Sequence, residues 1–280
     1  MSKKEKSIDL FFTVIMTAVS VIYVYPIFAI FINSLKKESA IGTNTVFKMP
    51  DTQTFAGLAN YSDAVSAKGF IPAFLLSVFI TVTSVAALLV FCSMCAWYIV
   101  RVNNRLTKLI YGLFVFSMIV PFQLVMFSLS QTADRLFLNS PWTIWLVYLG
   151  FGAGLAVFMF AGFIRSVPID VEEAAVIDGC SPIQTYFLVV FPMLKPTLIS
   201  VGILQTMWIW NDYLLPTLVL DIKKYKTVPM LIQYFRGSYG SVQMGPMMAC
   251  IMLTVLPAAV FYLVLQKYIV KGIAAGAVKG

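Results

Sequence analysis

Long apolar stretches alternate with short polar ones along this chain, and each stretch is about as long as a bilayer is thick. A helix crossing the hydrocarbon core needs about 20 consecutive apolar residues. Six runs meet that length: residues 10–32, 71–100, 109–129, 142–164, 198–220 and 246–265. Lipid offers the backbone no hydrogen-bond partner, so each run is predicted to be an α-helix that satisfies its own peptide groups. Only the run 198–220 carries a charge, Asp212. The first run follows Lys3, Lys4 and Lys6, but it exceeds a secretory apolar core and no small-residue cleavage site follows it. It reads as a retained span. The pattern predicts an all-α, polytopic membrane protein whose residues 1–280 form a single transmembrane domain.

The polar intervals are unequal. A long segment, 33–70, separates the first two spans, and no internal repeat is visible. The interval 165–196 holds four of the twelve acidic residues: Asp170, Glu172, Glu173 and Asp178. It reads as two short helices. In the first, Asp170 is the expected cap, Glu173 reaches back to it, and Gly179 takes the left-handed conformation that ends the helix. In the second, Ser181 caps, Pro182 occupies the first helical position, and Gln184 completes a capping box. Pro192 and Pro196 mark the return to the membrane. Ile183, Tyr186, Phe187 and Val190 form an apolar stripe that must pack on either the protein's own bundle or a partner. The small pair Ala174 and Ala175 favours close approach by another surface.

Composition supports lipid as the solvent. Sixty per cent of residues are hydrophobic, 11% are charged and none is histidine, which is too apolar for one soluble core. The net charge of +8 comes from basic residues scattered at helix ends, where headgroups explain them, and nucleic acid is not an expected partner. Cys92 and Cys95 form a C-x-x-C inside the second span with no histidine or further cysteine pair nearby, so neither a metal nor a redox role is expected. Arg101, Arg105 and Lys108 crowd one short turn while Arg135 stands alone in the next. That asymmetry puts both termini in the cytoplasm.

Asp212 needs an explanation because a carboxylate at the centre of a span costs about 2.5 to 3.5 kcal/mol on insertion scales. Gln205, Trp208 and Asp212 share one helical face. On one reading that face lines a translocation path, with Trp208 stacking on a sugar ring and Asp212 or Asn211 accepting hydroxyl protons. On the other, Asp212 caps a broken helix near Pro216, and Trp208 marks the membrane interface.

The stretch EEAAVIDGCSPIQTYFLVVFPMLKP, from Glu172 to Pro196, resembles the EAA loop of bacterial ATP-binding-cassette import permeases. The family pattern is E-A-A, three residues, G, nine residues, I-x-L-P. Glu173, Ala174, Ala175, Gly179 and Pro192 fall on it, with Val189 in place of Ile and Phe191 in place of Leu. The segment GLANYSDAV and the ending KYIVKGIAAGAVKG are similar to sugar permeases of the maltose-type subgroup. The resemblance implies a type I importer permease fold and places Glu173, Ala174, Ala175, Asp178, Gly179 and Pro192 in a loop that couples to an ATPase. Pro121 and Gln123 resemble a further family feature, in which a proline kink frees backbone carbonyls toward a cavity; a simple packing kink is the alternative.

The same resemblance implies a non-enzymatic transport subunit of a bacterial plasma (inner) membrane that moves sugar or oligosaccharide inward by alternating access. The implied partners are a second permease forming a heterodimer, an ATPase dimer and an extracytoplasmic sugar-binding protein. No G-x-x-x-x-G-K-[ST] loop is present, so no cofactor is expected on this chain and ATP and Mg belong to the ATPase. The rival readings are an importer permease for a non-sugar solute and an ion-coupled carrier using Asp212. A membrane enzyme is disfavoured because neither H-E-x-x-H nor G-x-S-x-G occurs.

Overall fold

The computed structural model describes residues 3–67, 69–235 and 243–277. Among these there is no β-strand, only an isolated bridge between Lys36 and Phe55. Fifteen helices follow one another: α1 (Lys3–Ser34), α2 (Glu38–Thr43), α3 (Ala59–Ser62), α4 (Phe70–Ala87), α5 (Ser93–Val102), α6 (Arg105–Ser117), α7 (Phe122–Arg135), α8 (Ile144–Ile164), α9 (Asp170–Ile177), α10 (Pro182–Thr185), α11 (Phe191–Met193), α12 (Lys195–Asn211), α13 (Leu214–Val219), α14 (Val228–Tyr234) and α15 (Met244–Ala277). Wider π-helical turns at Asp63–Ala67, Leu88–Cys92 and Tyr186–Val190 extend α3, join α4 to α5, and join α10 to α11. The ending KYIVKGIAAGAVKG continues α15 up to Ala277, and its last three residues lie outside the described residues.

Among the described residues, four helices are long and apolar enough to cross a membrane: Ile8–Ser34, Phe70–Val102, Ile144–Ile164 and Met244–Lys267. The other two expected runs are broken, and proline accounts for each break. A proline cannot donate to the carbonyl four residues earlier. The run 109–129 is therefore not one helix: α6 stops at Ser117, four residues before Pro121, and α7 restarts after it at a bend of 108°. The run 198–220 starts earlier, at Lys195, and breaks at Asp212, four residues before Pro216. Pro216 then lies in the first turn of α13, where no N–H is needed. Pro192 follows the π-helical turn Tyr186–Val190, and Pro196 opens α12 after a bend of 77°. Counting each bent pair as one span raises four to six.

The chain divides into two compact units, Met1–Ile71 with Leu231–Ala259, and Pro72–Met230 with Val260–Gly280. In the first, the GLANYSDAV segment has a structural use. The Asn60 amide donates to the carbonyls of Ser34 and Lys36 at 2.8 Å each, and the Ser34 and Tyr61 hydroxyls meet at 2.7 Å. Glu38 accepts from the backbone N–H groups of Met244 at 2.8 Å and Gly245 at 2.9 Å, answering two of the unpaired donors at the start of α15. Gly245 is required there, since a Cβ would lie 2.5 Å from Asn60 Oδ1.

In the second unit α8 is the axis. It is apolar all round, as a helix enclosed by others must be, and Tyr148, Ala156, Val157, Phe160, Ala161 and Ile164 are fully buried. It packs on α5, α6 and α12. Small residues allow that approach: a Cβ at Gly152 would meet Leu88 at 2.8 Å, and one at Gly154 would meet the Phe114 carbonyl at 2.8 Å.

Candidate coupling loop and membrane carboxylate

Local signals shape the loop 165–196, and most behave as the sequence predicts. Gly179 has φ +90°, and the N–H groups of Gly179 and Cys180 close back on the carbonyls of Val176 and Ala175, a helix-ending arrangement that only glycine adopts without strain. Ser181 and Gln184 form the reciprocal capping box around Pro182. Asp170 corrects the expectation. It is the first residue of α9 and makes no capping bond, and the N–H groups of Glu172 and Glu173 bond to the Ile169 carbonyl instead. Helix geometry one residue earlier leaves the Asp170 side chain in the first turn, where its charge still favours the positive end of the helix.

The loop has two faces. Inward, Glu172, Ala175, Thr185, Tyr186 and Val190 are buried. The stripe expected on the second helix is thus divided: Tyr186 and Val190 belong to the protein's own core, while Ile183 and Phe187 are exposed. The alanine pair is divided too, with Ala175 covered and Ala174 exposed. Outward, Glu173, Val176, Ile177, Asp178, Gly179 and Ile183 are exposed, Ile177 at 86%. Pro192, further along the loop, is exposed as well.

One residue that sequence reasoning passed over holds the loop. Glu172 receives Nε and Nη2 of Arg101 on Oε1, at 2.9 and 2.7 Å, and Nε1 of Trp97 on Oε2 at 2.9 Å. Arg101 Nη2 also donates to the Val167 carbonyl at 3.0 Å. The side chains of Arg101 and Glu172 are 19% and 10% exposed, so this is a largely desolvated, charge-assisted contact. Glu172 is buried while its acidic neighbours Glu173 and Asp178 are exposed, a difference that nothing in the sequence marks.

The second candidate site is the break in α12. Asp212 Oδ1 accepts from the N–H groups of Leu214 at 3.0 Å and Leu215 at 3.3 Å, starting α13, and Oδ2 accepts from the Tyr148 hydroxyl at 3.1 Å. Trp208 meets Tyr148 edge-on, with ring centroids 5.6 Å apart. Gln205 is buried and donates to the Gly152 carbonyl at 3.2 Å. The common face predicted for Gln205, Trp208 and Asp212 exists, and it is turned to α8. Tyr148 was missed because nothing marks one tyrosine in an apolar run as polar-bonded. Asn211 is exposed and donates to the Met207 carbonyl of its own helix at 2.7 Å. Gln123 is exposed in the first turn of α7. A cavity of about 430 Å³ lies at the Pro121 break, lined by residues that include Ser117, Val120, Ser128, Thr132 and Gly150; Gln123 does not line it. Cys92 and Cys95 are free thiols.

Residues 89–275, which include the loop and the broken span, match the family described as the binding-protein-dependent transport system inner membrane component. The chain belongs to that family. This permease is therefore a transport subunit, not an enzyme, and family membership implies an ATPase and a binding protein as its general partners. It is 36% identical to the "Probable starch degradation products transport system permease protein" of Thermoanaerobacterium thermosulfurigenes over 93% of each chain. It is 33% identical to the multiple sugar-binding transport system permease protein of Streptococcus mutans, over 99% of this chain and 100% of that one. Its fold is that of a chain in a bacterial ATP-binding-cassette transporter involved in importing the acidic polysaccharide alginate, with a TM-score of 0.79, 20% identity, and coverage of 96% and 98%.

Proposed function

We propose that this permease imports a sugar or oligosaccharide, docks a separate ATPase dimer through residues 165–196, pairs with a second, non-identical permease, and keeps both termini in the cytoplasm. The observation that supports docking is the two-faced loop: the inward face is fixed by Glu172 and Tyr186, while Glu173, Val176, Ile177, Asp178 and Ile183 form an apolar, acid-rimmed surface that the described residues leave open. Gly179 supplies the turn that presents it. Glu173, Ala174, Ala175, Asp178, Gly179 and Pro192 are assigned to this coupling element. ATP and Mg are assigned to the partner, whose closure tilts the bundle through a capped, rigid loop.

The carbohydrate assignment is supported by relatives named for starch degradation products and for multiple sugars that align along nearly the whole chain. For the translocation path we retain exposed Trp208, Asn211 and Gln123 as contacts, with Gln205 and Asp212 holding that wall against α8. An ion-coupled carrier finds less support, because both oxygens of Asp212 are already engaged by Tyr148 and the start of α13. Uptake of labelled malto-oligosaccharide by membrane vesicles carrying the assembled transporter tests the whole reading. Uptake is expected to stop on ATP depletion and to survive an uncoupler; the opposite pattern removes the ATPase from the mechanism.

A further inference from the structure

Three residues of α5 at successive helical turns, Ser93, Trp97 and Arg101, lie on one helical face. Each contacts the loop 165–196. Ser93 and Tyr186 share a hydroxyl–hydroxyl bond of 2.5 Å. The Trp97 ring meets that of Tyr186 at 5.3 Å while its N–H donates to Glu172. Arg101 closes the row on Glu172 and the Val167 carbonyl. The row thus holds both loop helices, α9 through Glu172 and the α10–α11 helix through Tyr186, and Trp97 touches both.

We infer that this row is the seat through which movement of the loop reaches the membrane, with Arg101 and Glu172 as its positioning pair. The inference rests on the loop's proposed role in docking the ATPase. Glu172 and the outward residue Glu173 are adjacent, so a push on the outer face of α9 arrives at α5 across charge-assisted bonds. The alternative route runs along the backbone, through residues 166–169 and the bend at Leu194, where the helices are interrupted. Buried aromatic and charged contacts also have few alternative arrangements, which makes them suited to passing a discrete displacement.

The test uses the complete transporter in proteoliposomes and reads the ratio of solute moved to ATP hydrolysed, alongside retention of the ATPase on the permease. Glu172→Gln and Arg101→Gln are expected to keep the ATPase bound and to lower the ratio about tenfold. The charge exchange, Arg101→Glu with Glu172→Arg, is expected to recover part of that loss. Trp97→Phe keeps the ring and removes only the N–H donor, so it reads the same seat if the charge variants do not assemble, with an expected fall of about threefold. Ratios within about twofold of the parent for every assembled variant, or an exchange that assembles without any recovery, overturn the inference. Ile177→Asp separates the two levels. If it leaves the ATPase bound, the docking face itself is wrong; if it releases the ATPase while Glu172→Gln couples normally, only the seat is wrong.

Discussion

Glu172 and Asp212 are both carboxylates drawn against the second unit's core, and their surroundings answer them differently. Glu172 meets a guanidinium and an indole N–H from another helix. Asp212 meets the N–H groups two and three residues further on and one phenol from α8. The first carboxylate joins two elements far apart in sequence. The second mainly repairs a local defect, the carbonyls and donors left open where Pro216 prevents a continuous helix. The charge is therefore expected to matter more at position 172 than at 212, where another capping oxygen can take over the two N–H groups.

Breaking the pair at 172 should have the largest effect. Arg101→Ala leaves a mostly buried carboxylate without its cation and is expected to cost about 3 kcal/mol, read as a lower unfolding midpoint in detergent. Asp212→Ala removes the cap and strands the Tyr148 hydroxyl, an expected loss of about 2 kcal/mol, whereas Asp212→Asn keeps a capping oxygen and should lose under about 1 kcal/mol. Equal losses for the two Asp212 variants would show that its charge matters after all. Gly179→Val forces a branched residue to φ +90° and should cost about 1 to 2 kcal/mol, with transport falling further than stability because the outward face is mispresented. Tyr148→Phe, which keeps the ring against Trp208 and deletes only the hydroxyl, should cost about 1 kcal/mol.

A third carboxylate, Asp51, gives the smallest effect and a pH signature. The Thr54 hydroxyl and N–H, then the Gln53 N–H and nearby Lys48, hold it below its ordinary value. A lowered carboxylate stabilises the fold above its unfolded value and loses that contribution as pH falls through the folded one. The stability difference between parent and Asp51→Asn should therefore be flat near neutrality and shrink as pH drops below about 4. A difference that grows on acidification would reverse the sign.

Sequence made legible whatever is decided within a few residues. Gly179, the Ser181–Gln184 box and the long apolar helices all follow from local backbone chemistry, and the structure places them as expected. The prolines were legible as punctuation: at Pro121 the expected kink is a full break, four residues after Ser117, whereas the reading in which Asp212 caps a broken helix near Pro216 is what the structure shows. What could not be read was pairing at a distance. Arg101 and Glu172 are 71 residues apart and Tyr148 and Asp212 are 64 apart, and no periodicity connects residues on different helices. Asp170 failed for a smaller reason: either of two neighbouring residues can begin a helix, and the backbone chose Ile169.

The Glu38 contact with Met244 and Gly245 has a consequence for how the protein is made. Its partners stand 206 and 207 positions later in the chain, so all the polypeptide between them must leave the ribosome before that corner of the first unit can close. Contacts so distant in sequence form late and slowly. Until then the Asn60 clamp on Ser34 and Lys36, whose partners lie 26 and 24 residues apart, can stand alone, and the start of α15 completes the corner by giving its open N–H groups to Glu38.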